Sequence, residues 1–133
     1  MIARILQGLA WLVVGGLLLQ FYLAGAALFG AASFQPHRML GDAIGVSIVL
    51  LLVVALIARP GRRIVGMAAL LTALAIVQVA LPSLRGALPF VAALHAVNAV
   101  FLVALAIRIA GATREVAIAR DARQTRLATA EPR

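Results

Sequence analysis

The stretch that decides the fold is IGVSIVLLLVVALIARPGRR, running from Ile44 to Arg63. From Ala43 to Ala58 no residue is charged, and then Arg59, Arg62 and Arg63 crowd around Pro60 and Gly61. An unbroken apolar run without strand-like alternation, closed by a Pro-Gly turn studded with arginine, reads as a helix leaving a bilayer. Working outward, the same pattern recurs. Apolar spans run from about Ile5 to Phe29, from Ser33 to Ala58, from Ile64 to Leu81 and from Pro89 to Ile109. Each is long enough for a hydrocarbon core that needs about 20 helical residues, although the third borrows residues from the turn at Pro82 to Gly86. The chain therefore predicts an all-α membrane protein, a four-transmembrane-helix up-down bundle over residues 1–110, followed by a basic cytoplasmic tail over residues 111–133.

Composition agrees. Of 133 residues, 65% are hydrophobic and 12% charged, with a mean hydropathy of +1.11, against about 25% charged residues in soluble domains. These values exclude an ordinary water-soluble domain, and the length excludes a large transporter or a globular catalytic domain. Cysteine is absent, which excludes disulfides, thiolate metal sites and cysteine nucleophiles. The N-terminus imitates a signal peptide, with Arg4, an apolar run and Ala24-Gly25-Ala26, but its apolar region is longer than such regions usually are.

The net charge of +8 comes entirely from arginine. Without aromatic residues interleaved among them, the arginines read as topology determinants rather than as a nucleic-acid surface. Arg4, Arg59, Arg62, Arg63, Arg108, Arg114, Arg120, Arg123, Arg126 and Arg133 fall on one side, and only Arg38 and Arg85 on the other. The positive-inside rule then puts both termini in the cytoplasm of a bacterial inner membrane protein. The tail, which also carries Glu115, Asp121 and Glu131, reads as a solvated helix extension that fixes topology.

Polar residues inside the spans are few, so each needs a reason. Gln20 precedes His37 by 17 positions and Gln78 precedes His95 by 17, so the chain matches itself at a shift of 58. Such a shift predicts two parallel helix-pair repeats, with both histidines in the outer part of the same side of the membrane. Two imidazoles without cysteine or a deep carboxylate make a poor zinc site, but they suffice as axial ligands of one six-coordinate haem. On that reading His37 and His95 bind the iron, Gln20 and Gln78 orient them, Gly41 and Ala99 leave space beside the macrocycle, and Arg38 and Arg85 neutralise propionates. The bland readings stay open: His37 as a headgroup-level residue, His95 bonded to Gln20, Gln78 or Asn98, Gln20 and Gln78 bonded to each other, Asn98 as a helix–helix bond, and Arg38 paired with Asp42.

The segments Gln78 to Leu81 and Leu94-His95-Ala96, with Gln20 to Gly25 and His37-Arg38, resemble one half of the haem A synthases, in which a Gln-led helix precedes one opening with Leu-His. The chain is also similar to small four-helix bacterial membrane proteins with this layout. The resemblance spans about residues 18–110 and implies that His37 and His95 are axial ligands of one haem. With one half only, no cysteine pair in the outer loop and no acidic residue in the first helix, it implies haem b binding, electron transfer or oxidase assembly rather than haem hydroxylation. The competing expectations are a cofactor-free structural or accessory membrane subunit and, more weakly, a transporter or channel component whose Gln and His residues line a path. No Ser-His-carboxylate arrangement points to an enzyme.

Overall fold

The computed structural model describes residues 2–130. Helix α1 spans Ile2–Leu28, α2 Gln35–Ala58, α3 Arg62–Ala80 and α4 Pro89–Ala130. A short 3-10 turn, Leu81–Gly86, joins α3 to α4. No strand occurs among the described residues. All four helices are long and apolar enough to cross a membrane, the third by counting the 3-10 turn as part of a 25-residue span from Arg62 to Gly86. Pro82 explains that extension: proline is tolerated at the start of a helical turn, where its missing N–H leaves no bond unmade.

Glycine shapes the other two turns. Gly30 closes α1 with a φ of +75°; its N–H donates to the Ala27 carbonyl at 3.2 Å and the Ala31 N–H to the Ala26 carbonyl at 2.8 Å. That pair of bonds is the Schellman pattern, which satisfies carbonyls the helix end would otherwise orphan. At the arginine turn, Arg59 takes a left-handed φ of 47° while donating its N–H to the Ala55 carbonyl. Gly61 follows at φ +126°, ψ 151°, a region open essentially only to glycine.

α1 packs on α2 and α4, and α3 packs on the same two, so α1 and α3 lie on one diagonal and α2 and α4 on the other. The core is a seam of residues alternately three and four apart: Ile44, Ile48, Leu51 and Ala55 on α2 meet Leu6, Ala10, Val13, Val14 and Leu17 on α1, with Ile64, Ala68 and Leu71 on α3 and Leu102, Ala106, Ile109 and Ala110 on α4. This spacing is the one that sets helices at a shallow left-handed crossing. Alanine at Ala10, Ala55, Ala68, Ala106 and Ala110 lets backbones approach, which matters in lipid because packing, not water exclusion, holds helices together. Only 17–28% of the most apolar stretch of each helix is buried inside the bundle. The remaining Leu, Ile, Val and Phe side chains point outward, as Phe29 and Phe90 do at more than 90% exposure.

α4 continues without a break past Ile109 to Ala130, and Thr113 and Ala117 are still buried. Glu131 and Arg133 of the tail, and the side chains of Arg120 and Asp121, lie outside the described residues.

Where α1 crosses α2, Gly16 makes room for Ile44: a Cβ on Gly16 would stand 2.9 Å from Ile44 Cγ1, whereas one on neighbouring Gly15 would meet nothing within 4 Å. Gly16→Ala is expected to lower stability in a detergent unfolding titration by about 1–3 kcal/mol. Gly15→Ala, on the open face, is expected to be neutral or to stabilise by up to about 1 kcal/mol. Equal effects of the two substitutions would contradict this crossing.

Candidate functional site

The polar residues of the spans collect at the end of the bundle opposite the arginine turn, where α1 hands over to α2 and α3 to α4. Gln20 lies two turns before the end of α1 and Gln78 in the last turn of α3, while His37 opens α2 and His95 sits in the second turn of α4. Because each pair belongs to adjacent antiparallel helices, the imidazole of the later residue comes level with the backbone of the earlier one. His37 Nδ1 lies 3.2 Å from the Gln20 carbonyl oxygen, and His95 Nδ1 lies 2.9 Å from the Gln78 carbonyl oxygen.

These contacts fix chemistry. A carbonyl only accepts, so Nδ1 carries the proton in both rings, and in the neutral imidazole Nε2 is left with a lone pair. This is the arrangement in which protein carbonyls hold a metal-ligating histidine in one tautomer and orientation. The two rings meet across the α2–α4 diagonal, with centroids 6.4 Å apart and planes at 65°. Phe34 stands edge-on to His37 at 6.2 Å.

Beyond that shared contact the two hairpins differ. On the second, the Gln78 side-chain N–H donates to His95 Nε2 at 3.3 Å, and Gln78 Oε1 accepts from Asn98 Nδ2 at 2.8 Å. Asn98 Nδ2 also donates to the Leu74 carbonyl at 2.9 Å. Asn98 is buried, and the network it completes ties α4 to α3. On the first hairpin, Gln20 Oε1 is buried and has no hydrogen-bond partner. Gln20 Nε2 stands 2.8 Å from where a Cβ on Gly41 would be, so the absence of a side chain at Gly41 is what admits the Gln20 amide. The residue one shift of 58 before Asn98 is Leu40, which has no polar atom to offer.

The structure thus brings together His37, His95, Gln20, Gln78 and Gly41, with Ala99 half-buried beside Asn98. Arg38 and Arg85 are exposed at the same end of the bundle. Arg38 and Asp42 form no ion pair among the described residues. Among the described residues there is also no group of three or more His, Cys, Asp or Glu side chains able to hold a metal ion. The role of the Gln20 and Gln78 backbones as acceptors, and the edge contact of Phe34, carry no sequence signal.

Residues 20–84 match a family of unknown function, DUF6220. The matched stretch is similar to that family over just under half of the chain and contains Gln20, His37 and Gln78 but stops before His95. No curated protein matches, and no solved structure does.

The asymmetry yields a paired prediction. Asn98→Leu removes the partner of Gln78 Oε1 and is expected to lower stability by about 1 kcal/mol, the scale of polar contacts between membrane helices. Gln20→Leu deletes an acceptor that has nothing to lose and is expected to leave stability unchanged or higher. The measurement is the same detergent unfolding titration, and a larger loss for Gln20→Leu than for Asn98→Leu would refute the assignment of partners.

Proposed function

We propose that this chain is a bacterial inner-membrane protein, with both termini in the cytoplasm, that binds one haem b through His37 and His95 for electron transfer or for haem or oxidase assembly. The observation that carries the reading is the pairing of the rings. His37 and His95 come from different hairpins and stand with ring centroids 6.4 Å apart across the α2–α4 diagonal, so both imidazoles would be at hand to hold one iron. Both rings direct Nδ1 at a Gln backbone carbonyl, which leaves Nε2 as the nitrogen able to ligate, free of its glutamine at His37 and accepting from the Gln78 amide at His95.

The surrounding residues fit this group in kind. Two nitrogen ligands are too few for zinc, whereas His37 and His95 would be enough to hold a haem iron. Bound haem supplies one-electron chemistry; the chain supplies orientation. Gln20 and Gln78 hold the rings through their carbonyls, and Gln78 must withdraw its amide from His95 Nε2 for that nitrogen to serve as ligand. Arg38 and Arg85 are the guanidinium groups at that end suited to propionates. The recurrence of the Gln carbonyl to His Nδ1 contact at a shift of 58 supports two parallel helix-pair repeats, each contributing one ligand.

A second reading has its own observation. Both nitrogens of His95 are engaged by Gln78, and a network that closes on itself is what a cofactor-free structural or accessory subunit uses to lock α3 to α4.

The absorption spectrum of the full chain, purified in mild detergent from cells supplied with ample haem, separates the two. The expected result is a Soret band with sharp α and β bands on reduction, lost in both His37→Ala and His95→Ala. A colourless wild-type protein, with stability lost in His95→Ala and kept in His37→Ala, would establish the lock instead.

A further inference from the structure

At the opposite end of the bundle the turn between α2 and α3 borders an open cavity of about 640 Å³, lined by Leu56, Arg59, Gly61, Arg62, Val65 and Gly66. Its lining has two characters. Leu56 and Val65 give an apolar wall, continuous with lipid-facing Ile57, which is 64% exposed. Arg59 and Arg62 line the same space, with no ion pair to a carboxylate among the described residues. The chain has no acidic residue between Asp42 and Glu115, so nothing nearby in sequence neutralises them.

Backbone features sharpen the site. Gly61, which opens α3, offers no side-chain cap to the helix, so the first-turn N–H groups of α3 and the positive end of its dipole add to the arginine charge. Gly66 lies on the cavity wall, and a Cβ there would meet nothing within 4 Å, so the space beside it is open. Guanidinium forks match the oxygen geometry of phosphate. An apolar wall beside them suits a phosphate that carries acyl chains, and basic pockets between helices at a membrane face are the usual seats of anionic headgroups.

The geometry points to a site for the phosphate group of an anionic phospholipid in the cavity between the end of α2 and the start of α3. The site is separate from the histidine pair and does not depend on whether haem is bound there. It gives part of the arginine excess a specific ligand in addition to its role in orientation.

The test is native mass spectrometry of the full chain released from nanodiscs made of equal parts phosphatidylglycerol and phosphatidylcholine. Wild type is expected to retain phosphatidylglycerol in preference to phosphatidylcholine. The double substitution Arg59→Gln with Arg62→Gln is expected to weaken that preference about 30-fold, from losses of roughly fivefold at each arginine near a charged surface. Gly66→Leu, which fills the cavity at constant charge, is expected to weaken it as well. Arg114→Gln with Arg123→Gln, an equal charge change on α4, is expected to leave it intact. Millimolar inorganic phosphate is expected not to displace the lipid; displacement would reveal a free-phosphate site and overturn the lipid assignment. Equal retention of the two lipids by wild type, an undiminished preference in either cavity variant, or an equal loss in the α4 variant would also overturn it.

Discussion

Every backbone and side-chain polar group in this bundle that lies at the depth of the hydrocarbon must find its partner inside the protein, because lipid offers none. That constraint divides the molecule in two. Toward the arginine turn the helices meet through alanines and interlocking aliphatic side chains, and at mid-bundle Gly16 makes room for Ile44. Toward the other end the contacts are hydrogen bonds, and the same residues that satisfy one another there hold the histidines in place. Packing at one end and hydrogen bonding at the other are complementary, since apolar side chains gain little from one another in lipid beyond close contact.

The two helical hairpins meet that constraint unequally. Both anchor a histidine on a glutamine backbone, but only the second adds Asn98 to occupy the glutamine side chain. The first has Leu40 at the corresponding place and leaves Gln20 Oε1 buried and unpaired. An unpaired amide oxygen costs free energy of order 1–3 kcal/mol, so the first hairpin is the less settled half of the site. Its imidazole is also the freer one: His37 Nε2 is not engaged by its glutamine, whereas His95 Nε2 is. If the site takes a ligand, the first hairpin is the half with bonding capacity left over.

Much of this was legible in the sequence because membrane helices are written in long, coarse signals. The spans between Arg4 and the Arg59–Arg63 cluster, and the breaks at Pro60 and Pro82, follow from hydropathy and turn chemistry alone. Helix ends were less so. Arg59 in a left-handed conformation has no signature beyond its neighbours Pro60 and Gly61, and α4 continues through Arg108 and Arg114 because charge outside a span does not interrupt a helix of good formers. At the candidate site, the shared offset of 17 between Gln20 and His37 and between Gln78 and His95 marked residues that lie in contact. The offset alone did not specify which atoms meet. The acceptors are backbone carbonyls, which every residue possesses, and Gly41, expected to leave open space, instead houses the Gln20 amide. Residue identity cannot encode that difference; only the crossing of α1 and α2 does.

Magnitudes decide how the closed Gln78 network bears on metal binding. The bond from the Gln78 amide to His95 Nε2, at 3.3 Å, belongs to a class worth about 0.6 kcal/mol on average and at most about 1.7 between membrane helices. Apparent binding free energies of about 10–16 kcal/mol for a four-ligand structural metal site correspond to a few kcal/mol per ligand. The amide can therefore leave Nε2 at small cost while the Nδ1 bond to the Gln78 carbonyl, at 2.9 Å, remains in place. The same bond that completes the lock is weak enough to be exchanged, so a satisfied His95 is compatible with a ligand role, and the ring pairing across the α2–α4 diagonal is common to both readings.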